Sequence, residues 1–368
     1  MPPMNPPPPA AAAPDGHLRR AHRRLDAVIK DFPPAAFSFV MATGILSAAL
    51  SLVGRETSAS VLLWIAAAAG ALLCAGLAWR AIAHPGPLLK DLANPAKTFG
   101  FFTIVAGANV LGLGFDMAGT PSVAVALAIV AGVFWVGLNY GIPSSMLLRD
   151  RSTPILQDAN GSWFLWVVAT QSMANALAVI ARNTHNELAG AAAVAAWGIG
   201  LVLYLLVGTL VTLRLLTLPN RPENLSPTYW IFMGATAITV LAGAKVLAMP
   251  ADLPVMVRTA VFVAGASYML WALGLWWIPL LVVFGIWRHG MRRYPVRYET
   301  GLWAIVFPLG MMSAASVAFG RGESVAVMVG VGEVGVWVAS AAWAGTTVLM
   351  LAGLVRWLRA GKQTVPAA

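Results

Sequence analysis

From Ala35 onward the chain is a series of apolar runs separated by short polar breaks. Most of the runs come close to the roughly 20 residues an α-helix needs to cross the hydrocarbon of a bilayer. There are ten: about 35–53, 61–83, 99–115, 120–138, 162–181, 189–212, 229–247, 259–286, 302–320 and 325–355. Lipid offers no partner to an open backbone, so a run of this kind spans as a helix, with every N–H bonded inside the segment. The pattern predicts an all-α integral membrane protein with ten transmembrane helices. Composition agrees: 10% of the residues are charged, against about 25% in a soluble domain. So little charge cannot cover a water-facing surface, and a lipid bilayer is the expected surroundings.

Orientation follows from the basic residues, which concentrate on the cytoplasmic side of a membrane protein. With the N-terminus inside, the inner segments hold 19 Lys and Arg and the outer breaks hold five, namely Arg55, Arg182, Lys245, Arg258 and Arg321. A missed or invented span would swap every later loop and erase this bias. Both termini are therefore expected in the cytoplasm, for a protein of a bacterial inner membrane. The net charge of +10 follows the membrane and does not call for nucleic acid. Short outer breaks such as LVGRETSAS and FGRGES pair the spans into five helical hairpins.

Three regions result: a Pro-rich tail and basic segment over 1–31, a membrane domain over 32–357, and a cytoplasmic tail over 358–368. Residues 1–16 cannot build a core and read as a disordered tail, with no secretory signal. Residues 17–31 read either as a basic amphipathic helix on the membrane surface or as a solvated stretch that sets topology. The eighth run has room to tilt or kink at Pro279.

Polar groups fall mostly in the odd-numbered spans: Ser38, Thr43 and Ser47 in the first, Thr103 and Asn109 in the third, Thr170, Gln171, Ser172 and Asn175 in the fifth, Thr236 and Thr239 in the seventh, and Ser313 and Ser316 in the ninth. Most even spans are largely Ala, Val, Leu and Trp. This segregation predicts an inner ring of five odd helices around a mildly polar central pore, shielded by the even helices. The competing reading is interhelical hydrogen bonding without a pore. Ala42-Thr43, Ala169-Thr170 and Ala235-Thr236 echo one another in spans one, five and seven.

No odd span carries Asp or Glu in its core, and Glu333 is the one acidic group well inside a span. Proton- or sodium-coupled carriers keep a buried carboxylate, and cation filters use acidic rings or ordered carbonyls. Anions are the cargo that remains, and Lys245 stands where it could attract them at a pore mouth or snorkel to headgroups. Cys74 has no disulfide partner, and the five histidines lie outside the apolar cores. No metal, cofactor or catalytic set is expected, so the chain does not read as an enzyme. Gly330, Gly332 and Gly335 spell GxGxxG, but no βαβ context surrounds them and a dinucleotide site is rejected. The sequon Asn160-Gly-Ser162 falls in an inner loop and is set aside.

The ninth span, LWAIVFPLGMMSAAS, with Trp303-Ala304-x-x-Phe307-Pro308, resembles the ninth helix of the tellurite-resistance/dicarboxylate transporter family. That family includes bacterial TehA-like proteins, fungal malate and sulfite transporters and plant slow anion channels. FSFVMATGILS, HPGPLLKDLANPAKTFGFF and WWIPLLVVFGIWRHG agree in order and spacing, and the likeness covers about residues 32–357. It implies five hairpins around a central pore, homotrimers with one pore per subunit, and passage of C4-dicarboxylate, sulfite, nitrate or chloride. It also implies a Phe gate at Phe307 beside the helix-bending Pro308. The first span departs from the family, with Ala42 and Ile45 where Gly is often found.

Overall fold

A computed structural model describes residues 25–148, 150 and 154–360. The expected tail over 1–16, most of the basic segment, and 361–368 lie outside the described residues; Leu25–Lys30 are helical.

Ten long helices make up the described chain: α1 (Ser38–Leu52), α2 (Glu56–Ala83), α3 (Phe102–Met117), α4 (Pro121–Leu147), α5 (Leu165–Thr184), α6 (Glu187–Thr217), α7 (Ile231–Leu247), α8 (Pro254–Gly285), α9 (Trp303–Gly322) and α10 (Ala326–Ala360). No strand occurs among the described residues. Nine helices, counted with their flanking turns, are long and apolar enough to cross a membrane. The tenth, α1, is apolar but only 15 residues long. That is about 22 Å, short of a full hydrocarbon core. Pro33 and Pro34 stand just upstream and disfavour a longer helix. Twelve of its 15 residues are buried against other helices, so α1 has little lipid thickness to match. Helix α8 runs through Pro279, and its irregularity falls instead at a π-helical turn, Ile286–Met291.

Consecutive helices α1–α2, α3–α4, α5–α6, α7–α8 and α9–α10 pack extensively on one another. The odd helices also touch in closed order, α1 to α3 to α5 to α7 to α9 and back to α1. Burial separates the two sets. In the odd spans α3, α5, α7 and α9, 78–89% of the apolar window is buried, against 11–33% in the even spans. Residues such as Leu72, Val133 and Val261 on the even helices are left largely exposed, as lipid-facing side chains should be.

Tryptophan ties the two sets together at four of the five junctions between one helix pair and the next. Indole N–H groups donate from Trp135 on α4 to Thr170 on α5 (3.1 Å), from Trp271 on α8 to Ser316 on α9 (2.8 Å), and from Trp343 on α10 to Thr43 on α1 (3.0 Å). Trp197 on α6 donates to the Thr239 carbonyl on α7 at 3.0 Å. The GxGxxG glycines sit inside α10, where Gly332 and Gly335 let the backbone of α9 approach at Ser313 and Val317. Among the missing first-span glycines, Ile45 packs on Gly310 of α9, so the small residue sits on the opposite helix.

Thr43→Val should expose what a single indole bond is worth. It leaves the Trp343 N–H without an acceptor in an apolar seam. The expected loss is about 0.6–1.7 kcal/mol, the range for interhelical bonds in membranes, read as a lower melting temperature in detergent. An unchanged melt would mean that the bond contributes nothing.

Candidate functional site

The odd helices are 15 to 20 residues long and the even helices 27 to 35. Ten fewer residues shorten a helix by about 15 Å. Short connections hold each pair nearly flush at one end; two residues, His185 and Asn186, separate α5 from α6. The deficit therefore opens at the other end, where every odd helix begins. A cavity of about 910 Å³ lies there.

Its wall takes residues from the approach to each odd helix: Pro34 and Ala35 before α1, Lys97 and Gly100 before α3, Ser162 before α5, Thr228 and Tyr229 before α7, and Gly301 before α9. Four of these helices open with a 3₁₀ turn. Asn160 caps the turn before α5, while the other 3₁₀ turns and α1 have no side-chain cap. Helix N-termini carry partial positive charge and unpaired N–H groups, which suits anions. Formal charge on the wall is mixed, with Lys30, Arg80, Lys90, Lys97 and Arg214 against Asp31, Asp91, Asp158 and Glu223.

Two buried arginines behave differently. Arg80, 2% exposed, donates Nη2 to Asp91 at 2.6 Å and Nε to the Lys30 carbonyl at 3.1 Å, while Lys97 reaches the other Asp91 oxygen at 3.0 Å. This clamp joins the end of α2, the short helix Pro85–Leu92 and the segment before α1. Burial raises the Asp91 pKa, but the bonds and charges of Arg80 and Lys97 outweigh it and hold the carboxyl below its ordinary value. A depressed carboxylate stabilises the fold above its unfolded value, near 4, and loses that effect as pH falls through the folded value. Asp91→Asn should therefore lower the melting temperature by a constant amount from pH 8 to 5, with the gap narrowing only below about pH 4. A gap that changes between pH 8 and 5 would remove Asp91 as its source. Arg214, 5% exposed, bonds Asn220 through Nη1 and has no carboxylate partner among the described residues.

Phe307 is 2% exposed in the main core of the bundle, and Pro308 lies inside α9 with its ring against Gly234 of α7. Phe307 stands six residues past Gly301 of the cavity wall, about 9 Å along the helix axis. Several of the hydroxyl and amide groups chosen from the sequence meet the outer helices. Thr43, Thr170 and Ser316 accept the outer-helix indoles described above, and Ser47 donates to the Ala59 carbonyl of α2 at 2.6 Å. Gln171 donates to the Trp197 carbonyl of α6 at 3.0 Å, while Thr236 abuts Gly274 of α8 and Ser313 abuts Gly335 of α10. An apolar seam leaves a hydroxyl unsatisfied unless it finds a partner there; Thr43, Ser47, Thr170, Gln171 and Ser316 find one on a neighbouring helix, whereas Thr236 and Ser313 donate to the Met233 and Leu309 carbonyls of their own helices. Thr239 bonds the Ala235 carbonyl of its own helix. Ser38 and Thr103 are buried at the start of α1 and α3, with Thr103 bonded to the Gly100 and Pro34 carbonyls on the cavity wall.

Asn109 and Asn175 line a separate cavity of about 280 Å³ between α3, α4 and α5, together with Asp116. Asp116 is a buried carboxylate that the sequence reading passed over, since it follows the third apolar run by one residue. It is 8% exposed and pairs with Arg182 at 3.2 Å. Lys245 lies within electrostatic reach of both. Glu333, by contrast, is half exposed, 3.8 Å from Arg321. No group of three or more His, Cys, Asp or Glu positioned for a metal occurs among the described residues. The cavity arginines entered only the topology count; their signal was a basic residue at the inner end of an even span, as in Trp79-Arg80 and Leu213-Arg214.

Fold and cavity together define a multi-pass helical membrane protein whose short inner helices begin around one deep polar recess. The SLAC1 family model, described as voltage-dependent anion channel, matches residues 31–351, and the chain belongs to that family. It is 50% identical over 149 residues to an uncharacterized membrane protein of Mycobacterium tuberculosis, covering 40% of this chain and 75% of that one. An uncharacterized transporter of Methanocaldococcus jannaschii is 24% identical over 317 residues, 81% of this chain and 86% of its own. A second such transporter from the same organism is 23% identical over 303 residues, 79% of this chain and 86% of its own.

Proposed function

We propose that the protein passes small anions of the C4-dicarboxylate, sulfite, nitrate or chloride class along the axis enclosed by α1, α3, α5, α7 and α9. Ten crossings form five hairpins, with the recess and both termini on the cytoplasmic face of a bacterial inner membrane, and subunits assemble as homotrimers. One observation carries this reading: residues at the starts of all five inner helices line a single cavity. Helix N-termini and basic side chains draw an anion into the recess, and Phe307 closes the way beyond it. Pro308 cannot bond the Ala304 carbonyl, which loosens the helix at the turn that carries the ring. Ser38 and Thr103 are the first polar side chains below the mouth, and Lys245 serves the opposite end.

The test is a proteoliposome panel of chloride, nitrate, sulfite and malate, with and without a pH gradient. Saturable flux of at least one anion supports the proposal; no flux of any anion overturns it. A second reading, proton-coupled export of sulfite or dicarboxylate, is favoured by the Asp116 carboxylate, 8% exposed and paired with a partly exposed Arg182. It requires flux that rises with the gradient and loses that dependence in Asp116→Asn.

A further inference from the structure

Two buried hydroxyls on the wall of the recess lack hydrogen-bond partners, and a guanidinium beside them lacks a carboxylate among the described residues. Tyr229, 2% exposed, has a hydroxyl closed to solvent with no hydrogen bond, and the hydroxyl of Ser162, 8% exposed, is in the same state. An unmet polar group in such a place costs free energy unless water or a ligand meets it. The third group is Arg214. Its Nη1 is fixed on Asn220 Oδ1, whose own amide nitrogen donates to the Leu215 carbonyl and so sets which end faces the arginine. The rest of the guanidinium makes no hydrogen bond among the described residues.

These groups belong to one place. The backbone of Gly161 touches Thr228 and Tyr229 so closely that a Cβ there would sit 2.3 Å from the Thr228 oxygen, which brings Ser162 beside Tyr229. Arg214 acts electrostatically on the Tyr229 hydroxyl, and all three residues line the recess. A buried arginine keeps its charge at any physiological pH and is costly without a counter-ion. No carboxylate among the described residues supplies one.

We propose that Arg214, Tyr229 and Ser162 form an anion-binding site on the wall of the recess, with a small oxyanion of the carboxylate, sulfite or nitrate class as its ligand. This deepens the passage reading and rests on it. Two or more acceptor oxygens on one ligand meet a guanidinium edge and two hydroxyls together, whereas a spherical halide uses fewer of these directional donors. The site holds the ion before Phe307, at the ends of α6, α5 and α7.

The experiment measures binding of nitrate, sulfite, malate and chloride to the purified protein in nanodiscs by titration calorimetry, and flux of the same ions in proteoliposomes. Wild-type protein is expected to bind an oxyanion more tightly than chloride. Tyr229→Phe should weaken oxyanion binding ~10-fold and Arg214→Gln ~100-fold, as loss of hydrogen bonds to a charged ligand implies. Arg214→Lys keeps the charge but removes the fork, and should erase the preference over chloride. Melting curves accompany each variant; if Arg214→Gln does not fold, Tyr229→Phe and Ser162→Ala, which each remove one oxygen, decide. Oxyanion affinities within twofold of wild type in the folded variants would overturn the site while leaving flux, and the passage reading, in place. Binding that the variants weaken in a protein that carries no flux would keep the site and reject passage.

Discussion

Phe307→Ala is expected to raise anion flux through proteoliposomes by at least about tenfold, equivalent to ~1.4 kcal/mol off the barrier, with little change in which ions pass. The ring is buried in the main core, on the helix turn that also carries Pro308. An apolar ring in a narrow passage excludes water as well as ions, and a methyl group in its place leaves room for both. A cavity of that size also costs about 3–5 kcal/mol of stability if the surroundings do not collapse, so flux has to be scaled to folded protein. Unaltered flux in a variant that melts within a few degrees of wild type would take Phe307 out of the mechanism. Phe307→Leu, which keeps bulk and loses the flat ring, should fall between the two.

Gly161→Ala should be the most damaging single methyl group in the chain. Its Cβ would lie 2.3 Å from the Thr228 carbonyl oxygen, 2.4 Å from its carbon and 2.5 Å from the Tyr229 nitrogen. All three are backbone atoms and cannot rotate away as a side chain would. The turns that open α5 and α7 must separate, at a cost above the ~1–3 kcal/mol usual for an overpacked site. A sharp loss of melting temperature, or no folded protein at all, is expected. Gly86→Ala is the control, since nothing lies within 4 Å of its Cβ position. Equal stability of the two variants would mean that the contact between the turns is not what holds the recess in shape.

The segmentation of the chain was legible because hydropathy acts locally. The third run, placed at 99–115, became a 3₁₀ turn from Thr98 and a helix to Met117. The seventh, placed at 229–247, became Pro227–Trp230 and Ile231–Leu247. Which helices are inner was legible too, since hydroxyl and amide groups collect where lipid is absent. The direction of those groups was not. Thr43 and Ser47 share a helix face by spacing, yet one meets Trp343 of α10 and the other the Ala59 carbonyl of α2. Tryptophans in the even spans were read as lipid shielding, although an indole N–H in an apolar layer needs an acceptor. Four of them find one on the inner ring. Asp116 went unread because a carboxylate at the margin of an apolar run looks like the end of the span, and only the folded chain shows its side chain 8% exposed and paired with Arg182.

The sequence alone determined that this is a helical membrane protein, roughly where its spans lie, and which of them turn away from lipid. Those properties follow from the free energy of moving each side chain from water to hydrocarbon, which nearly every residue reports independently. Tertiary structure decided what the polar groups do. Ser162 stands far along the chain from Arg214 and Tyr229, and Gly161 brings it to Tyr229 by a backbone contact that no local pattern encodes. The recess itself exists because inner helices are shorter than outer ones and flush at one end, a relation between elements that becomes a cavity only when they pack.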